Sequence, residues 1–296
     1  MQGLLVLNKP KGITSFAAVA KLRRLLNVKR IGHTGTLDPL ASGVLICLIG
    51  RPCVLSDYIM SGQKTYVAKL KFGVKTDSFD SMGTIIDSSK KQVTKEEFIA
   101  VCNSFIGNIK QLPPMFSAKK VDGKRLYTLA REGKEVERKP NDIYIKEIKV
   151  LNFNSNEAEI LVTCSKGTYI RSLINDIGEK LGSFAIMSEL TRIENGGFSI
   201  NDAVLLDDLT PENIKQHIIS AEKAVSNYPK ISVTQKQAVR FYNGGELDLS
   251  RIKNLNAKTG DILRVGYLDV FLGLGKVGET ALKVLCPIEN PNKVEE

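Results

Sequence analysis

The sequence predicts an α+β fold built on a central sheet, and three observations carry that prediction. Strand-like and helix-like segments intermix without the regular β–α alternation of a parallel sheet. Residues 65–72 alternate, with Tyr66, Ala68, Leu70 and Phe72 on one face and Lys69 and Lys71 on the other. Residues 143–153 and 158–164 alternate on either side of Asn154-Ser155-Asn156, the pattern of an antiparallel hairpin.

The remaining elements follow in chain order. Residues 3–8 read as a short strand that turns at Lys9-Pro10-Lys11-Gly12, and Ser15 is placed to cap a helix with Val19, Leu22 and Leu26 on its apolar face. Val44–Ile49 is short and uniformly apolar, as a strand covered on both faces is. Thr94-Lys95-Glu96-Glu97 forms a capping box opening a helix to about Phe105, and Gly107 stops it. A helical pattern runs from Tyr169 to Leu181 and ends at Gly182. Thr210-Pro211 predicts the cap and first turn of a last helix. Residues 220–230 are polar, contain Pro229 and read as a linker. Beyond them Ile231–Val233, Gly260–Val265 and Phe271–Gly275 are short strands separated by glycine turns. The expected division is 1–228 and 229–296, the second part small and β-rich.

Composition narrows the class. Of 296 residues, 43% are hydrophobic and 25% charged, which excludes wholesale disorder, and the net charge of +10 favours a polyanionic partner. The five cysteines, Cys47, Cys53, Cys102, Cys164 and Cys286, include no C-x-x-C pair and read as reduced core thiols of a cytoplasmic protein. Only His33 and His217 are present, which argues against a histidine-based zinc site or serine triad. Leu4–Leu7 is too short for a signal peptide, and nothing approaches about 18 uninterrupted apolar residues, so no membrane span is expected.

The chemistry concentrates in Gly32-His33-Thr34-Gly35-Thr36-Leu37-Asp38-Pro39-Leu40-Ala41-Ser42-Gly43-Val44-Leu45. Seven basic residues (Lys9, Lys11, Lys21, Arg23, Arg24, Lys29 and Arg30) precede Asp38 and no acid does. A carboxylate held by a Gly/Pro-punctuated turn in a positive field stays ionised and suits a nucleophile or base aimed at a polyanion. Alone, an Asp-Pro pair is more often a turn initiator.

Four further segments decide between these readings: Asn8-Lys9-Pro10-Lys11-Gly12, Lys64-Thr65-Tyr66, Ser165-Lys166-Gly167-Thr168-Tyr169-Ile170-Arg171 and Leu190-Thr191-Arg192. With the Asp38 segment, and in this order, they resemble the bacterial tRNA pseudouridine-55 synthases over about residues 1–230, and more loosely beyond. The resemblance implies a central mixed, largely antiparallel sheet with flanking helices and a cleft along it. It also implies a small C-terminal domain related to the RNA-binding PUA modules, and isomerisation of one uridine in the tRNA T-loop by base flipping. That reaction exchanges no electrons and no external group, so neither cofactor nor metal is expected. The implied partner is the T-arm stem-loop of tRNA, met by a monomer with no obligatory protein partner and no membrane.

Roles carry over position by position. Asp38 matches the catalytic carboxylate, acting as nucleophile or stabilising the electron-deficient sugar. Arg171 matches the arginine that offsets desolvation of that carboxylate. Tyr66 matches the tyrosine that stacks on the target base and assists proton movement, Tyr169 a tyrosine lining the same pocket, and Leu190 an apolar wall. His33 matches the histidine that fills the space left by the flipped nucleotide. Lys9 and Pro10 match residues that buttress the loop, with phosphate contact by Lys9 a further role. Within an insertion at about 112–140, residues 119–139 carry eight basic side chains against the acids Asp122, Glu132, Glu135 and Glu137, as expected of a segment that clamps RNA. Asp77 and Asp80 are kept, whereas Met82 stands where the family often has a further acid. Two rivals remain at this point: a non-catalytic RNA binder on the same fold, and a nucleoside glycosidase or deaminase. The second would need paired carboxylates or a His/Cys/Cys set.

Overall fold

The computed structural model describes residues 1–60, 62–121 and 123–292. The chain begins β1 (Gly3–Lys9), α1 (Ser15–Leu26), β2 (Ile31–His33), β3 (Ala41–Ile49), α2 (Ser56–Met60) and β4 (Lys64–Phe72). A ribbon of β5 (Val74–Thr76) and β6 (Ile85–Ser88) follows, then α3 (Lys95–Asn103) and β7 (Gly107–Gln111). The insertion holds β8 (Lys120–Val121), β9 (Lys124–Arg125) and α4 (Leu126–Arg131). Next come β10 (Asn141–Phe153), β11 (Glu157–Cys164), α5 (Ile170–Leu181), β12 (Ala185–Asn195), β13 (Phe198–Ser199) and β14 (Val204–Leu205). The last part holds β15 (Lys230–Ser232), α6 (Gln235–Tyr242), β16 (Leu247–Asp248), β17 (Ile262–Tyr267), β18 (Val270–Val277) and β19 (Ala281–Pro287).

The central sheet runs β14-β1-β3-β12-β4-β11-β10-β7, with β2 added to β3 and β13 to β12. Only β1–β14 and β3–β12 pair in parallel, so the sheet is mixed and largely antiparallel. The alternation of residues 65–72 is realised in β4, where Tyr66, Ala68 and Leu70 are buried and Lys69 and Lys71 exposed. Asn154 closes the β10–β11 hairpin through its side-chain oxygen, which accepts from the backbone of Asn156 and Glu157. The uniform hydrophobicity of β3 has a cause on each side. Leu45, Cys47 and Ile49 join the core under α1 and α5, while Val44, Ile46 and Leu48 join a second core that includes Phe271, Leu274 and Ile288.

Four expectations need correction. Thr14, not Ser15, caps α1, because Ser15 turns inward and is buried against Leu37. Thr94 caps α3 as expected, but Lys91 takes the Glu97 carboxylate that would have closed the box, and the helix ends at Asn103. Thr210-Pro211 opens one capped turn leading into a short 3-10 helix, Ile214–His217, instead of an α-helix. The polar stretch 220–230 is no free linker: Ala221, Ala224 and Val225 are buried in the second core. The C-terminal sheet, β15-β17-β18-β19-β16, carries a third core with α6 laid against it. No helix among the described residues is long and apolar enough to cross a membrane.

Candidate active site

Asp38 stands on the loop between β2 and β3, and that loop is pinned from several directions. Ser15 brackets Leu37, accepting from its N–H at 2.9 Å and donating to its carbonyl at 3.1 Å. Gly12 N–H donates to Pro39 O at 2.7 Å. From β12, Arg192 donates to Gly35 O at 3.0 Å and Asn195 to Thr34 O at 3.1 Å. A loop fixed at both flanks holds its one carboxylate in a set direction.

Arg171 meets that carboxylate from the first turn of α5. Its Nε lies 2.9 Å from Asp38 Oδ2 and its Nη1 3.2 Å from Asp80 Oδ2. Nη1 also donates to Ser78 O at 3.1 Å and Nη2 to Phe116 O at 2.9 Å. Four acceptors therefore lock the guanidinium, as the fixed fork of a planar group allows. Asp80 is fixed in turn, since its Oδ1 accepts from Ser78 Oγ at 2.7 Å and Met82 N–H at 3.0 Å. Arg171 and Asp80 are buried, with side chains 5% and 9% exposed, whereas Asp38 is 36% exposed and faces open space.

That space is a cleft of about 1150 Å³, at the upper end of or beyond the range usual for small-ligand pockets. One wall is the Asp38 loop with the start of α1, a second is residues 77–84, and the third is the insertion, which presents Lys120, Arg125, Tyr127 and Arg131. Both arginines lie near the Tyr127 ring, 5.8 and 5.7 Å from its centroid. Lys119 points away, its ammonium held by Asn141 Oδ1 at 2.6 Å. Asp122 lies outside the described residues.

The anticipated residues divide into two layers. Asp38, Arg171 and His33 line the cleft. Tyr66 and Leu190 are each 7% exposed and lie beneath it. Burial pushes the Tyr66 phenol up, opposed by the Arg192 guanidinium opposite it. Tyr169 is half-buried at the start of α5, with its backbone clamped by Gln111 at 2.8 and 3.0 Å, and burial also raises its phenol. Burial and the Arg192 charge push His33 down, which keeps the imidazole neutral near pH 7. Lys9 is fully buried and donates to Pro10 O and Ile13 O, both at 2.8 Å, so it braces the loop and does not reach a phosphate. Asp80 and Arg192 are the residues whose places the sequence left unassigned. Each acts across the fold, Asp80 on a residue 91 positions away, a relation without local signature. Among the described residues no group of three or more His, Cys, Asp and Glu side chains is placed to hold a metal ion.

Known proteins share both the sequence and the fold of this chain. Residues 23–170 match the TruB family pseudouridylate synthase N-terminal domain, and residues 171–226 the tRNA pseudouridylate synthase B C-terminal domain. The tRNA pseudouridine synthase B of Clostridium tetani is 44% identical over 286 residues, covering 96% of this chain and 99% of that protein. The protein of the same name from Fusobacterium nucleatum is 40% identical, with 94% and 96% covered. Among solved structures, a chain of an H/ACA RNP bound to a substrate RNA containing 2′-deoxyuridine superposes with a TM-score of 0.75 at 26% identity, covering 98% of this chain and 86% of that one. A chain of a Cbf5-Nop10-Gar1 complex gives 0.75 at 28% identity, with 95% and 83% covered. With family matches spanning 23–226 and close relatives along nearly its whole length, this chain belongs to the TruB family of pseudouridylate synthases.

Proposed function

We infer that the protein converts uridine to pseudouridine at position 55 in the T-loop of tRNA. The reaction breaks C1′–N1, turns the uracil over and joins C5 to C1′, and the C5 hydrogen leaves as a proton. The observation that carries the reading is the Asp38–Arg171 pair. A carboxylate is aimed into a cleft because a buried guanidinium, itself locked by Asp80, Ser78 O and Phe116 O, holds one of its oxygens at 2.9 Å. Asp38 supplies the carboxylate that the glycosidic rearrangement requires, and its free face meets the substrate. Tyr66, Tyr169 and Leu190 form the seat of the flipped base, with Tyr66 as its stacking surface. His33, uncharged at the cleft wall, fills the gap the base leaves. Lys9 supports the loop from below.

The size of the cleft suits several nucleotides, and its basic wall suits their phosphates. The segment 112–140 clamps the RNA backbone, and residues 229–296 form a β-rich module that adds contacts to the same tRNA, residues 293–296 lying outside the described part. The protein works as a single chain in the cytoplasm, with neither cofactor nor metal in its reaction. One neighbour of known structure belongs to an H/ACA RNP and another to a Cbf5-Nop10-Gar1 complex, whereas here a single chain takes the T-arm itself as substrate. A non-catalytic binder on this fold has no use for a locked Asp38–Arg171 pair.

The test is tritium release from C5-labelled uridine in tRNA, under single-turnover conditions with saturating enzyme. Asp38→Asn keeps the shape and loses the charge, so release falls by about a thousandfold or more while the RNA Kd changes less than about threefold. Near-normal release by Asp38→Asn would return the loop to a structural turn.

A further inference from the structure

One conspicuous residue has no part in the chemistry above. Arg192 lies on β12 directly across from Tyr66 on β4 and from Gly43 on β3, so the three form one row through the middle of the sheet. The side chain is 1% exposed. Its Nε donates to Val44 O at 2.7 Å, and its Nη2 donates to Gly35 O at 3.0 Å, inside the loop that carries Asp38. Its guanidinium carbon stands 6.0 Å from the centre of the Tyr66 ring. Gly43 allows this approach, because a Cβ there would lie 2.2 Å from the Arg192 carbonyl oxygen.

An interior arginine that merely braces a sheet ordinarily carries a carboxylate, since an unpaired buried charge is costly. Among the described residues Arg192 makes no such ion pair. Its partners are two neutral carbonyls and Tyr66, whose ring face it covers and whose phenol it hydrogen-bonds, and those partners belong to the two parts of the site that must stay in register. Gly35 O moves with Asp38, and Tyr66 is the wall against which the base rests. The charge is also felt by its neighbours: it adds to the burial that lowers Lys9, His33 and Lys64 and opposes the burial that raises the Tyr66 phenol.

We propose that Arg192 is a positioning residue that acts on the reaction through Tyr66, holding that ring and its hydroxyl in one setting relative to the Asp38 loop. The proposal builds on the uridine-isomerising reading. It assigns the third residue of Leu190-Thr191-Arg192 to the chemical step and not to RNA affinity, because a side chain under the sheet surface reaches no phosphate.

The experiment combines Arg192→Gln and Arg192→Lys, each alone and with Tyr66→Phe, in the full-length protein. Single-turnover tritium release, RNA Kd and the 13Cζ resonance of Tyr66 in tyrosine-labelled protein are measured, the resonance being assigned by its loss in Tyr66→Phe. Arg192→Gln is expected to slow release about tenfold or more, with the RNA Kd within about twofold of the parent value. Arg192→Lys, which keeps the charge, loses less. In the Tyr66→Phe background either change costs less than about threefold, because the group it acts through is already gone. The Tyr66 resonance moves in Arg192→Gln. Equal losses in both backgrounds, with an unmoved resonance, would make Arg192 an independent brace and overturn the proposal. Should Tyr66→Phe be too slow to time, the resonance decides. Should Arg192→Gln not fold, the same comparison is read from Arg192→Lys. If the parent releases no tritium but the resonance still moves, the functional reading fails while the Arg192–Tyr66 coupling stands.

Discussion

Replacing Arg171 by methionine keeps much of the stem and removes the charge, and the structure sets the size of the effect. The Nη1–Asp80 contact is 3.2 Å long between side chains 5% and 9% exposed. At an effective dielectric constant of about 20 the attraction is about 5 kcal/mol. Both ions are already desolvated, so breaking the pair from one side costs about 3–5 kcal/mol. Asp38 is 36% exposed, and solvent reduces its share to about 0–1 kcal/mol. The destabilisation therefore belongs mainly to the stranded Asp80, and it lowers the melting temperature by on the order of 10 °C. Adding Asp80→Asn to Arg171→Met removes the stranded charge. The amide oxygen still accepts from Ser78 Oγ and Met82 N–H, so about half of the lost stability returns. Turnover does not return with it, because Asp38 still lacks its guanidinium. Thermal melts followed by circular dichroism, beside single-turnover tritium release, separate the two quantities. A double variant no more stable than Arg171→Met would refute the reasoning, and so would one that recovers activity along with stability.

Three further outcomes are expected. Replacing Lys120, Arg125 and Arg131 together by alanine removes the basic wall of the cleft, so the slope of log affinity against log salt becomes shallower by about 2–3; an unchanged slope would make that wall a solvated face. Burial holds Lys9 and Lys64 at about 8, below their usual 10.5, so above pH 8 the folded chain has released protons that the unfolded chain keeps, and stability rises with pH. Burial also pushes Cys47 and Cys102 up to about 12 and Cys164 to about 11, so above about pH 9 the unfolded chain loses thiol protons that the fold retains, and stability declines. Urea titrations should rise by about 1 kcal/mol from pH 8 to 9, and less in Lys9→Met; a steady decline from pH 8 would contradict this. Gly43→Ala forces a Cβ to 2.2 Å from Arg192 O at a φ of 103° and should cost more than about 3 kcal/mol, whereas Gly12→Ala at φ 94° meets nothing within 4 Å and should cost about 1 kcal/mol, as thermal melts would show.

Much of this architecture could be read from local sequence because burial repeats at the strand period. Tyr66, Ala68 and Leu70 announce β4, and the αL Gly182 announces the end of α5. Two C-terminal elements had no such signal. Only Ala238 and Phe241 of α6 are buried, a stripe too short to stand out, and β19 mixes Leu282, Lys283 and Val284 without clean alternation. The stretch 220–230 looked like a linker because its polar residues outnumber three small or medium apolar ones that do the packing. At the site, Asp38 and Arg171 were legible through their motifs. Asp80 was visible only as a carboxylate without a task, since its task is to hold an arginine contributed by α5, which follows six further strands and two helices along the chain. Lys9 lay in a recognisable motif, but only the fold reveals that its ammonium is spent on two carbonyls.

The packed joint at Ala221, Ala224 and Val225 has a consequence for how size is judged. Val44, Ile46 and Leu48 on the back of β3 share one core with Phe271, Leu274 and Ile288, so the C-terminal sheet is seated on the central one and not tethered to it. The interval between Asp38 and the outer face of that second sheet is thus set by side-chain volumes. If residues 229–296 contact the tRNA as proposed, an RNA reaching from one to the other would meet a fixed gauge, because the shared core leaves the module no room to swing to fit a stem of the wrong length.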